Sequence, residues 1–312
     1  MGNAGELTRD LAQRAPGQAL IEKLLDEWDQ GRIRLGERPD TVIIDDEARG
    51  WYWGVLGERR VADILSMFGE GWASLHSIPV GTGSSDIDHL VIGPAGVFTI
   101  NTKYSPGSAV WSAGHGLLVN GTSRANYLRN AAFEVTRVSQ ILSDAVGFPV
   151  PVTGVIAFVS PGSMTRNAAA DADGVTVLVM SEDELGDLAR YPRVLSDEQS
   201  SVLVDTARRL DVWSASPTPS RMGWQISREF DALRSAVGPA LDSTREAKPS
   251  MPSRAPRSRP TRPRVQSRRP QRSRPARSGR RRRSIGEDLM RLAVSAAGLF
   301  GVWYFFANVY GK

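Results

Sequence analysis

The chain has 312 residues, 41% of them hydrophobic and 23% charged, enough to bury a sizeable core in one or two domains. It contains no cysteine, which excludes disulfides, thiolate metal sites and a cysteine nucleophile, and fits a reducing compartment. The formal net charge of +5 joins two opposite parts: residues 245–284 hold fifteen Arg and one Lys against Glu246 alone, about +15, leaving residues 1–244 acidic at about −10.

Residues 1–18 are polar, include Pro16, lack an apolar run that could act as a signal peptide, and are expected to be disordered. Residues 19–30 place Leu20, Leu24, Leu25 and Trp28 at helical spacing. They read as an amphipathic helix that packs on the main domain or, alternatively, binds a partner. Residues 31–50 read as a loop with one short strand at 41–44. From Trp51 a helix carries Val55, Val61, Ile64, Leu65 and Phe68 on one side, and Gly54 and Gly57 let it approach another backbone closely. Glu58 on this helix is either a solvated surface residue or a carboxylate aimed inward.

Residues 72–80 alternate like a strand and GTGSS at 81–85 reads as a flexible turn. Strands at 87–92 and 97–102 follow, nearly continuously apolar as expected of strands covered on both faces, and joined by a tight turn at Gly93, Pro94 and Gly96. A strand at 109–112 leads to a hairpin tip at Asn120 and Gly121. A helix over 127–145 turns Leu128, Ala131, Val135, Val138, Ile141 and Leu142 inward. Strands at 152–159 and 175–180 follow, and two helices open with capping boxes, Ser181 with Glu184 and Ser196 with Gln199. This order predicts an α/β fold, a mixed sheet sandwiched by helices. One more short helix is expected over 223–241, after a Pro and Ser break at 214–220.

Beyond residue 245 the chain is almost entirely Arg, Pro and Ser, with seven prolines by residue 284, so it reads as a disordered, extended linker. The stretch from Leu289 to Tyr310 carries Arg291 as its one charge and would make a helix about 33 Å long, enough to span a bilayer. A buried helix of a soluble domain is the weaker reading, since the linker isolates the segment from any core. Trp303, Tyr304 and Tyr310 suit an interfacial belt, and Ala293, Ala297 and Gly301 form a small-residue ladder that would support homodimer pairing. Arg280, Arg281, Arg282 and Arg283 precede the span and only Lys312 follows it, so a single-pass protein of the cell membrane is expected, its bulk cytoplasmic. The arginines would meet anionic lipid headgroups, and further out could bind nucleic-acid phosphates. The expected organisation is an N-terminal extension (1–50), an α/β domain (51–213, motif core 51–165), a helical connector (214–244), the linker (245–284) and a transmembrane helix (289–310).

The candidate site lies in DIDHLVIGPAGVFTINTKYSPG, residues 86–107. Two strands joined by a tight turn bring their ends together, so Asp86 and Asp88 at the start of the first come near Asn101 and Lys103 at the end of the second. Residues i and i+2 on a strand share a face, so each pair points one way. Carboxylates with a nearby lysine suit metal-assisted attack on a phosphodiester, the carboxylates holding the ion and the lysine positioning the nucleophile or stabilising charge. Taken alone, Asp86 and Asp88 could as well cap turns, Lys103 could be an exposed strand-end lysine, and His89 a hydrogen-bonded structural residue.

GVLGE at 54–58, DIDHLVIGPAGVF and the following TKxxPG resemble the nuclease-related domain (NERD), whose fold is similar to that of the PD-(D/E)xK, or restriction-endonuclease-like, nucleases. The resemblance covers about residues 50–165. It implies Glu58 as the helix acid, Asp88 as the strand acid, Lys103 as the lysine, Asp86 and His89 as auxiliary groups, and Mg²⁺ or Mn²⁺ as the cofactor. The departure is Asn101, where the pattern has Asp or Glu; an amide oxygen can ligate an ion but brings no charge. Two functions follow as expectations: metal-dependent cleavage of DNA or other nucleic acid, or a catalytically weak or inactive module that binds nucleic acid or a protein at the membrane. No GxxxxGK[ST], nucleophile elbow or zinc-ligand cluster is present.

Overall fold

The nearly unbroken burial of two neighbouring strands sets the architecture. A computed structural model describes residues 7–36, 42–80, 86–214 and 219–237. The chain begins with β1 (Leu7–Thr8), a 3-10 turn (Leu11–Gln13), α1 (Gln18–Asp29), β2 (Ile33–Leu35), β3 (Val42–Ile44) and α2 (Asp46–Leu65). It continues through β4 (Ala73–Pro79), β5 (Asp86–Gly93), β6 (Gly96–Tyr104), β7 (Ala109–Gly114), β8 (Gly116–Val119), β9 (Thr122–Ser123), α3 (Ala125–Val146) and β10 (Val152–Val159). It closes with β11 (Ser163–Ala172), β12 (Val175–Ser181), a 3-10 helix (Glu182–Arg190), α4 (Asp197–Ala207), α5 (Leu210–Trp213), β13 (Ser220–Arg221) and α6 (Gly223–Val237).

Among the described residues a nine-stranded sheet runs in the order β4-β5-β6-β10-β12-β11-β7-β8-β9. It is mixed: β5 is antiparallel to β4 and β6, whereas β10 is parallel to both β6 and β12. The faces separate by strand alternation. Val155, Ala157 and Val159 of β10 pack with Val61, Ile64 and Leu65 of α2, and Ile156 and Phe158 pack with Leu128, Ala131 and Ala132 of α3. In β5 and β6, Val91, Phe98 and Ile100 belong to the α2 side, while Leu90 and Ile92 lie with Val138 and Leu142 of α3. The predicted mixed α/β sandwich is therefore present.

Two close approaches fix this frame. A Cβ on Gly57 would lie 3.0 Å from Tyr104 Cβ and 3.2 Å from Thr102 Cγ2, so the absent side chain lets α2 sit on the end of β6. On the other face, a Cβ on Gly154 would meet Val135 Cγ2 at 2.8 Å, so α3 lies close against β10. The β5–β6 turn pairs Gly93 with Gly96, leaving only Pro94 and Ala95 in the loop. Gly96 there takes φ +117°, a conformation L side chains rarely adopt.

Several expectations are corrected. Residues 7–18 are ordered rather than disordered: β1 pairs with β13, and Leu11 donates its N–H to Arg208 O at 2.8 Å. Leu11 and Ala15 are buried there, and Asp10 forms an ion pair with Arg208, so a largely polar stretch finds enough partners to be held. The loop reading of 31–50 omitted β2, which pairs with β3, and α2 starts at Asp46, before Trp51. α6 is integral: Ile226 and Phe230 are fully buried with Ile21 and Leu24 of α1 and Tyr52 and Val55 of α2. β11 was not expected; it forms a hairpin with β12 through Asp173 and Gly174, at φ +52° and +78°. The turn at 81–85, the linker at 245–284 and the span at 289–310 lie outside the described residues. Among the described residues no helix is long and apolar enough to cross a membrane.

Candidate active site

The β5–β6 register, with His89 opposite Ile100, carries Asp88 alongside the end of β6, where its Oδ2 accepts the Thr102 N–H at 2.6 Å. Asn101 and Lys103 reach Glu134 and Tyr127 of α3, whereas Thr102 lies against Gly57 of α2 with His89 beside it. Lys103 Nζ is in short contact with Asn101 Oδ1, donates to Thr102 O at 3.1 Å, and stands 4.9 Å from the centre of the Tyr127 ring. The convergence of Asp88, Asn101 and Lys103 is thus reproduced.

Glu58 is 3% exposed, so the surface alternative for it does not hold. It lies in the buried stripe of α2, between Val55 and Val61, next to the glycine that lets the helix meet β6. Its Oε2 accepts the Gly17 N–H at 3.0 Å. Burial pushes its carboxyl well above the ordinary value and the charges of Asp88 and Asp86 add to the rise, while the Gly17 hydrogen bond and Lys103 oppose it. Asp86 is pushed up to about 7, chiefly by burial and then by Asp88, against the pull of Lys23 and Arg14. Burial also raises Asp88, opposed by Lys103 and the Thr102 amide.

His89 is fully buried, and both its ring nitrogens are engaged: Nδ1 lies 2.8 Å from His76 Nδ1 and Nε2 lies 3.2 Å from Thr102 Oγ1. Burial lowers His76 to about 4, and burial together with His76 holds His89 well below its ordinary value. The pair is therefore neutral near pH 7 and holds the Thr102 hydroxyl while Asp88 holds the Thr102 amide. That placement spends both ring nitrogens of His89 on protein partners.

Three contributions escaped the sequence reading. Glu134 of α3 accepts a hydrogen bond on Oε1 from Asn101 Nδ2 at 3.0 Å, and its pKa is pushed up to about 8, first by burial and then by Asp88. Its signal was a charge at position 134 between Ala131 and Val138, on the buried stripe of an amphipathic helix. Arg14 and Lys23, from the segment before α2, both act on Asp86, and the Arg14 Nε is buried without a partner. Nothing in the local pattern foretold that Gly17, Arg14 and Lys23 would reach the centre. His76 is the third, as the partner of His89.

Carboxylate oxygens are the donors a hard divalent ion takes, and two enclosed ones, Asp86 Oδ2 and Glu134 Oε2, have no protein partner. The donor chemistry therefore fits such an ion. Among the described residues, no three His, Asp or Glu side chains already stand grouped as a finished metal site.

Residues 53–159 match the family model of the nuclease-related domain (NERD), a stretch that contains Glu58, Asp86, Asp88, His89, Asn101, Lys103 and Glu134. No curated protein and no solved structure matches the chain.

Proposed function

We propose that this nuclease-related domain is the working part of a metal-dependent phosphodiesterase acting on DNA or another nucleic acid. The observation that carries the reading is the gathering of buried Glu58 with half-buried Asp86 and Asp88 within electrostatic reach of one another, with Lys103 acting on Glu58 and Asp88, inside the matched stretch. Asp88, Glu58 and Asp86 would hold Mg²⁺ or Mn²⁺. When bound, such an ion polarises the phosphoryl oxygen and lowers the pKa of a water to be used as nucleophile. Asp88 is aimed by the Thr102 amide and Lys103 by Asn101 Oδ1, so both enter the reaction pre-oriented. The Lys103 ammonium would position the attacking water or stabilise charge developing on the phosphate.

The membrane part of the proposal rests on the sequence. Residues 289–310 would anchor the chain as a single-pass tail with the domain in the cytoplasm, and Arg280–Arg283 would lie on anionic headgroups. Ala293, Ala297 and Gly301 would pair two such helices. The arginines of 245–284 would supply the attraction for nucleic acid that the acidic remainder lacks.

The test is cleavage of labelled single- and double-stranded DNA and RNA by the full chain with Mg²⁺ or Mn²⁺. Cleavage should vanish with chelator and fall roughly 100-fold or more in Lys103→Ala. A folded chain that cleaves none of the four substrates with either ion refutes the enzyme. A tethered binding module is the second reading. It is favoured by Asn101, which brings no charge, and by the Gly17 amide that already occupies one oxygen of Glu58. Substrate retention without cleavage would select it.

A further inference from the structure

We propose that Glu134 supplies the carboxylate that position 101 lacks, so that acid and amide have exchanged places between β6 and α3. The inference rests on the metal-dependent reading above and names a ligand that the family resemblance does not assign.

Asn101 lies between Lys103 and Glu134. Its carbonyl faces the Lys103 ammonium and its amide nitrogen donates to Glu134 Oε1 at 3.0 Å. The amide satisfies both neighbours, because it accepts from a cation through its oxygen and donates to an anion through its nitrogen. An acid at 101 would instead set two carboxylates in hydrogen-bond contact, and one of them would have to keep its proton. The pair therefore needs one acid and one amide, and this chain has the acid on the helix.

The second oxygen makes the case for a ligand rather than a structural acid. Oε2 of Glu134 is enclosed and has no protein partner, although the group senses Asp88, Lys103 and Asp86. A glutamine would keep the shape of the side chain without the cost of a buried charge. A carboxylate with one oxygen anchored and the other vacant is what a hard divalent ion can use. α3 is held for this purpose by Gly154, whose missing side chain lets Val135, the neighbour of Glu134, sit on β10. Asp88 and Glu134, each in electrostatic reach of the other, would then bind the ion together, with Asn101 as the positioning residue for both Glu134 and Lys103.

The experiment is Mn²⁺ binding to the full chain by titration calorimetry, without substrate, for the parent, Asp88→Asn, Glu134→Gln and the exchange variant Asn101→Asp/Glu134→Gln. Glu134→Gln should weaken binding roughly tenfold or more, and the exchange should restore it to within about threefold of the parent. Far-UV circular dichroism confirms that each variant is folded. Parent-like binding by Glu134→Gln, with Asp88→Asn impaired, overturns the role of Glu134 and leaves the metal-dependent reading standing. Failure of the exchange to restore binding overturns the swap as well. No binding by the parent, or none lost in Asp88→Asn, removes both.

Discussion

Asp86→Asn in metal-free protein should stabilise the fold, by an amount that grows with pH. The carboxyl rises from an ordinary value of 3.8 to about 7, first because burial disfavours its charged form and then because Asp88 is near. A carboxylate whose folded pKa is raised holds its proton more tightly when folded. Its cost is thus absent below the unfolded pKa, grows as pH rises from about 4, and is complete above about 7. Three pKa units correspond to about 4 kcal/mol, of which roughly 2.5 kcal/mol develops between pH 5 and pH 8. Asparagine removes that cost while keeping the shape. The assay is urea denaturation in chelator at both pH values, read as the difference between variant and parent. That difference cancels the opposite trend of His76 and His89, which are held neutral and lose stability as pH falls below about 6.5. The advantage of Asp86→Asn should be larger at pH 8 than at pH 5 by on the order of 2 kcal/mol. An advantage independent of pH would mean that Asp86 is not buried beside a second carboxylate, and the site geometry would be wrong.

Three further outcomes are expected. Gly57→Ala drives a methyl group to 3.0 Å from Tyr104 Cβ, so α2 must shift, and the melting curve should report a loss of about 1–3 kcal/mol. Phe230→Ala should cost about 3–5 kcal/mol by chemical denaturation, since the ring is fully buried 5.5 Å from that of Tyr52; an unchanged midpoint would detach α6 from the core. His76→Gln should lessen the loss of stability between pH 6.5 and pH 4, because burial holds the imidazole at about 4 and its protonation must accompany unfolding.

The centre of the fold was legible because its signals are local. Continuous apolar runs bounded by Gly93, Pro94 and Gly96 define β5 and β6, and the tight turn then forces Asp88 toward Asn101 and Lys103. Capping boxes at Ser181 and Ser196 mark two helix starts, though the first helix is 3-10. β11 escaped because SMTRNAAADA is mostly exposed and alanine-rich, with Thr165 as its one β-branched residue; the Asp173–Gly174 pair was its one clear trace. Glu134 escaped for a different reason. The inward face of α3 is marked by its apolar residues, and a single glutamate among them carries no local sign of the partner, Asn101, that holds it. The reach of Gly17, Arg14 and Lys23 to the centre depends on how distant segments pack, which no short window of sequence contains.

The Gly17 amide on Glu58 bears on how this protein should be cut for study. A fragment trimmed to residues 53–159 would keep the strands, the lysine and the acids of the matched stretch. It would lose the backbone donor that holds one oxygen of Glu58 and the two cations that temper Asp86. Its acids would be left to repel one another without those counterweights. Metal affinity or activity measured on such a piece would describe a different centre, so informative truncations begin before Asp10 and retain α6.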